Sequence, residues 1–145
     1  MERKQFIKSC SQVCVGMLLT SGFIEGCTVS NYFANTSIEG NKIILRKSEF
    51  STINKEKVKL RKYVIVKNEK LKFPICVYKS NKTYTALYLE CTHKGCELIP
   101  QGEYLVCPCH GSEFSNQGLV LNPPAEDNLK SFVIETDNEN IYILL

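Results

Sequence analysis

From Gly40 to Leu145 the chain is a succession of short apolar or alternating runs: "NKIILRK", "KYVIVKN", "FPICVYK", "TYTALYLE", "EYLVC", "GLVL", "SFVIE" and "IYILL". Most are rich in Val, Ile, Tyr, Phe or Thr, and none sustains the 3.6-residue period of a long amphipathic helix. Turn signals separate them at "KSNKT" (79 to 83), "QGE" (101 to 103), "SNQG" (115 to 118) and "TDNEN" (136 to 140), where Gly, Asn and Asp supply turn chemistry. The pattern predicts an all-β domain over residues 40 to 145. At 145 residues the chain has room for one domain with a true core and a leader, not for two ordinary domains. Cys76, inside "PICVY", reads as a small buried hydrophobe in a strand.

Residues 1 to 26 read as an export leader. A basic start (Arg3, Lys4, Lys8) precedes an apolar run from Val13 to Ile24, loosened by Gly16, Thr20, Ser21 and Gly22. About a dozen residues fall short of the roughly 20 that a spanning helix needs, and suit a signal-peptide core. The string "RKQFIK" resembles the twin-arginine export signal, with Lys4 at the second arginine. "FIEGC" resembles a bacterial lipoprotein box ending at Cys27, which marks Cys27 as a lipidation site. The other reading is an uncleaved anchor helix in which Cys27 is an ordinary thiol. Either way the domain is tethered at a bacterial membrane, on the periplasmic side. Cys10 and Cys14 lie inside the leader, and the polar stretch 27 to 39 reads as a flexible linker.

Net charge is only +3, from 18 basic and 15 acidic residues, which gives no nucleic-acid footprint. The distribution is uneven: between Lys42 and Lys72 eleven basic residues stand against Glu49, Glu56 and Glu69. The plain reading is a set of solvated strand edges, where Lys blocks edge pairing. The sharper one is a docking face for an anionic membrane or partner.

Chemistry is concentrated in two hexapeptides. "CTHKGC" (91 to 96) and "CPCHGS" (107 to 112) hold four of the eight cysteines and both histidines. Disulfides alone suit an exported chain but leave the histidines unexplained. Zinc accepts Cys and His in a tetrahedral site but leaves two of the six residues idle, giving a redox-silent binding module. The reading that uses all six comes from a resemblance.

The two hexapeptides, ten residues apart, resemble the Rieske motif of cytochrome bc and b/f complexes and of the arsenite oxidase small subunit; the likeness extends more loosely over residues 80 to 145. It implies an antiparallel β-sandwich with a small cluster-binding subdomain near residues 90 to 126, holding one 2Fe-2S cluster. Carried over, the metal ligands are Cys91, His93, Cys107 and His110, and Cys96 and Cys109 form a disulfide between the loops. Rieske ferredoxins and ring oxygenases usually lack those last two cysteines, so the resemblance points to the quinol-oxidising type. It also sets Ser112 as donor to a bridging sulfide and Phe114 where high-potential members carry tyrosine. That phenylalanine suits a low-potential donor such as menaquinol. "NPPAEDNL" (122 to 129) resembles the family's proline loop over the cluster, with Pro123 and Pro124 restricting the backbone; an ordinary proline turn is the equal alternative. Lys94 stands where many members have an apolar residue.

The function so implied is membrane-tethered electron transport. An electron is taken from quinol beside a cytochrome b-type subunit and passed to a cytochrome c-type acceptor, with no turnover by the chain alone. The small Rieske subunit of a molybdenum oxidase is the alternative within the same cofactor class.

Overall fold

The computed structural model describes residues 31 to 54 and 57 to 145; the leader and Cys27 lie outside the described residues. The strands are β1 (Thr36–Glu39), β2 (Lys42–Arg46), β3 (Ser51–Asn54), β4 (Lys57–Leu60), β5 (Tyr63–Val66), β6 (Ile75–Ser80), β7 (Thr83–Tyr88), β8 (Ile99–Gln101), β9 (Tyr104–Val106), β10 (Glu113–Ser115), β11 (Val120–Asn122), β12 (Ser131–Thr136) and β13 (Asn140–Leu144). A single turn of 3-10 helix at Lys47–Phe50 joins β2 to β3. The described chain is all-β, as the run pattern predicts, and forms the β-sandwich that the resemblance implies.

Seven strands form one sheet in the order β1-β2-β13-β12-β7-β6-β5, four form a smaller sheet in the order β11-β10-β9-β8, and β3 pairs with β4 alone. The key to the architecture is β6. Its first four residues are all buried, yet alternate side chains must point to opposite faces. Ile75 and Val77 join Val64, Val66, Ala86, Ile43, Leu45, Ile141 and Ile143 in one core. Cys76 and Tyr78 join Ile65, Leu87, Leu89, Leu105 and Phe114 in the other. Strands β5 to β7 are therefore a middle layer, covered on one face by β2 and β13 and on the other by the small sheet. Double burial explains why "PICVY" reads as a continuous apolar run. Each fully buried Val, Leu or Ile contributes roughly 1.5–3 kcal/mol. Cys76 is fully buried in this layer, and burial pushes its thiol far above the ordinary range.

The domain begins earlier than residue 40. Thr36–Glu39 pairs with β2 in register Thr36 to Leu45 through Glu39 to Lys42. Upstream, Ala34 N–H donates to the Ile65 carbonyl (2.8 Å) and Ile65 N–H to the Tyr32 carbonyl (2.9 Å), so residues 32 to 34 close the outer edge of β5. The polar composition that suggests a linker belongs to edge pairing, which needs backbone groups and only alternate inward side chains, here Tyr32 and Ala34.

Three connections place the small sheet. Leu89 N–H donates to the Pro74 carbonyl, Leu98 N–H to the Leu89 carbonyl and Leu129 N–H to the Gly118 carbonyl. Gly118 sits at φ +83, and a Cβ there would stand 2.8 Å from Leu87 Cδ2 and 3.4 Å from Leu129 Cβ. A side chain at that position would wedge the small sheet off the middle layer. Gly118→Ala is expected to lower unfolding free energy by about 2 kcal/mol or more, since left-handed backbone alone costs an alanine about 1–2 kcal/mol and Leu87 must also move. Gly102→Ala is the control, because Gly102 has a similar φ of +69 and a Cβ there would meet nothing within 4 Å. Thermal melts of the two variants should differ; equal losses would remove the contact as the cause.

Candidate metal centre

Two loops leave the same end of the small sheet: residues 91 to 96 lead from β7 toward β8, and residues 107 to 112 join β9 to β10. They share one backbone plan. In the first, Gly95 N–H donates to the Cys91 carbonyl and Cys91 N–H to the Cys96 carbonyl, both at 2.8 Å. In the second, Gly111 N–H donates to the Cys107 carbonyl (3.0 Å) and Cys107 N–H to the Ser112 carbonyl (2.8 Å). Each loop is therefore a tight turn opened by a cysteine and turned back by a left-handed glycine at the fifth position, Gly95 at φ +67 and Gly111 at φ +78. The side chains on that plan differ. Histidine is third in one loop and fourth in the other, and the remaining cysteine is sixth in one and third in the other.

Those remaining cysteines are joined: Cys96 and Cys109 form a disulfide with Cα atoms 6.6 Å apart. Cys91 and Cys107 are free thiols, 2% and 1% exposed, with sulfurs within hydrogen-bonding reach of each other. Burial raises the Cys91 thiol above its ordinary value. The His93 backbone N–H works against that by donating to the sulfur, the Cys107 sulfur adds to the rise, and the Lys94 N–H again opposes it. The His93 and His110 rings meet edge to face with centroids 4.9 Å apart. His93 is half-buried and His110 exposed. His93 Nδ1 is buried with no hydrogen-bond partner, which is costly for an imidazole nitrogen unless something ligates it. Although the sulfurs of Cys96, Cys107 and Cys109 lie within 4.8 Å of one another, the disulfide removes two of them as thiolate donors. What remains is one pair of buried thiols and one pair of adjacent imidazoles on the two loops, a donor set whose chemistry fits a mixed Cys and His iron-sulfur centre.

A third segment closes over the loops. Ser112 is fully buried and its Oγ accepts from Ala125 N–H at 3.0 Å. Asn122 Nδ2 donates to the Gly111 carbonyl at 3.3 Å, and Thr92 Oγ1 donates to the Asp127 carbonyl at 2.7 Å. Residues 122 to 127 are thus stapled to both loops, with the peptide between Pro123 and Pro124 cis. Phe114 is fully buried, paired with Leu105 across β9 and β10, in the core that also contains Cys91 and Cys107. Lys94 is exposed beside His93. Sequence reasoning missed Thr92 and Asn122: both act through one side-chain contact to a carbonyl, and only their closeness to the hexapeptide and the prolines hinted at it.

Comparison with known proteins agrees with this geometry. Residues 43 to 133 match the family described as the Rieske [2Fe-2S] domain. The chain is 38% identical over 56 residues to the cytochrome b6-f complex iron-sulfur subunit of Prochlorococcus marinus, covering 37% of this chain and 31% of that one. It is 52% identical over 42 residues to the ubiquinol-cytochrome c reductase iron-sulfur subunit of Rickettsia felis, covering 27% and 24%. The chain thus spans a third or less of the length of these relatives. Among solved structures, the plasma membrane Rieske protein PetC3 of Synechocystis PCC 6803 superposes with a TM-score of 0.51 at 28% identity, over 58% of this chain and 87% of that one. With the family's match across the two cysteine and histidine loops and the β-sandwich that carries them, the chain belongs to the Rieske [2Fe-2S] domain family, whose cofactor is one 2Fe-2S cluster.

Proposed function

We propose that this chain is the membrane-tethered electron-transfer subunit of a quinol-oxidising complex. Cys91, His93, Cys107 and His110 are its cluster ligands, a cytochrome b-type subunit is its neighbour and a cytochrome c-type protein its acceptor. The observation that carries the reading is the Cys96–Cys109 disulfide, which goes with the quinol-oxidising type in the resemblance above. Two relatives named as iron-sulfur subunits of cytochrome complexes support it. The tether is the leader, through lipid on Cys27 or through the uncleaved N-terminal segment, with the domain on the periplasmic side; among the described residues no helix is long and apolar enough to cross a membrane.

When bound, the cluster exchanges one electron, and ligation by two histidines and two cysteines gives it a potential of about −150 to +300 mV. The chain's residues do the rest. Cys91 and Cys107, almost fully buried, hold their sulfurs away from water. His93 Nδ1 turns inward and the far ring nitrogen faces out. With His110, that nitrogen gives the quinol hydroxyl an acceptor that orients it and holds its proton. The stapled segment 122 to 127 keeps water from the inner side. Ser112 has used an Oγ lone pair on Ala125 N–H, so its O–H remains to donate to a sulfide.

Three measurements test this. The loaded, reduced chain should give the paramagnetic signal of a histidine-ligated 2Fe-2S cluster with a low average g value; an EPR-silent protein containing zinc would overturn the reading in favour of a redox-silent module. Ser112→Ala should lower the midpoint potential by on the order of 60–120 mV, because a hydrogen bond to a charged acceptor is worth about 1.5–3 kcal/mol and a one-electron couple moves about 59 mV per 1.4 kcal/mol. It should also destabilise the fold by roughly 1–3 kcal/mol by orphaning Ala125 N–H. A redox titration and a thermal melt read the two effects separately. Phe114→Tyr should raise the potential by roughly 20–60 mV through a neutral hydrogen bond to a ligand sulfur; no upward shift would remove Phe114 as the residue that sets a menaquinol-range potential.

A further inference from the structure

Three sulfurs stand together where the two loops meet. Those of Cys96, Cys107 and Cys109 lie within 4.8 Å of one another; two are bonded to each other and the third is a free thiol. A disulfide bond is about 2.05 Å long, so the Cys107 sulfur is less than about 3 Å from bonding distance to either of the others. The loops that carry them are glycine-turned and lie outside the strand ladders, so a shift of that size breaks no sheet pairing.

Exposure sets a direction for chemistry among the three. Cys107 is 1% exposed and Cys96 is half-buried against the core that contains Cys107, whereas Cys109 is exposed. A thiolate that attacks a disulfide bonds to one sulfur and expels the other as thiolate. Attack on Cys96 keeps the new bond on the core side and expels Cys109 into water, where its charge is solvated. Attack on Cys109 would instead expel the half-buried Cys96 and close a small ring across Pro108 alone, whose backbone angle is fixed. Chain entropy does not oppose the first course. Cys107 is only two positions nearer to Cys96 than Cys109 is, a difference that the logarithmic dependence on loop length makes negligible.

We propose that, in the chain not yet loaded with its cluster, Cys107 exchanges with the Cys96–Cys109 disulfide. The Cys107 S–H gives its proton to water, its sulfur bonds to Cys96, the Cys96–Cys109 bond breaks, and Cys109 leaves as a thiolate that takes up a proton. One disulfide and one thiol stand on each side, so no oxidant or reductant is consumed. A cysteine sulfur held by iron is not free to attack, so loading and exchange exclude each other. A chain oxidised before loading therefore enters a form that accepts iron and sulfide only after the bond reverses or is reduced. That last consequence rests on the reading of Cys107 as a ligand; the exchange itself does not.

Disulfide mapping of the full chain tests this. The loaded chain is stripped of iron and sulfide by chelation and gel filtration under argon, then held for hours, the span of uncatalysed disulfide rearrangement. It is quenched in denaturant at low pH with N-ethylmaleimide, digested and read by mass spectrometry. A Cys96–Cys107 peptide should accumulate while label rises on Cys109 and falls on Cys107 to the same extent; the loaded chain, held as long, should keep Cys96–Cys109. Cys107→Ser, purified unloaded, should never take label at Cys109. Cys96–Cys109 as the sole bond after that time overturns the proposal. So do bonds from Cys96 to Cys76 or Cys91 as frequent as those to Cys107, which mark general unfolding instead of contact between the loops. Iron uptake is read separately: it should fall as the exchanged peptide rises and recover when dithiothreitol is added first. Exchange with undiminished uptake overturns Cys107 as a ligand and leaves the exchange standing.

Discussion

The metal centre depends on one covalent constraint, the Cys96–Cys109 bond across the two loops. The small sheet beneath has strands of only three residues, too short to fix the relative position of two glycine-turned loops by ladder hydrogen bonds. Closing the 13-residue separation between the cysteines removes chain entropy worth about 3 kcal/mol from the unfolded ensemble. It also ties together the two loops that carry the buried thiols and the imidazoles. The stapled segment 122 to 127 then secures the same loops from the outside through neutral contacts to backbone groups.

Much of this was legible in the residues. The eight apolar runs each correspond to a strand, because alternation and turn chemistry are local signals. The two hexapeptides carried the site because cysteine and histidine are rare enough that their clustering is informative. The remaining strands have no such signal. β8 contains Pro100 and β10 is three residues beside a loop, so neither has length enough to show a period. β1 and the β3–β4 pair lie in polar or lysine-rich sequence, where pairing comes from backbone groups that composition does not register. The linker boundary failed for the same reason, since Tyr32 and Ala34 are the inward residues of an otherwise polar edge. The resemblance gives Ser112 a donor's role; its second task, accepting from Ala125, needs a residue 13 positions away that no local pattern could supply.

The route through the large sheet has one more consequence. Strands β7 and β12 are direct neighbours, with Leu87 opposite Ser131 and Ala86 opposite Phe132, and Tyr88 N–H donates to the Lys130 carbonyl. Everything between, including both loops, the small sheet and the stapled segment, leaves the sheet and returns to it at adjacent points. The redox apparatus is therefore an insertion between two strands that are already partners. A module with neighbouring ends can be lengthened, trimmed or exchanged for another without re-registering the sheet that carries it.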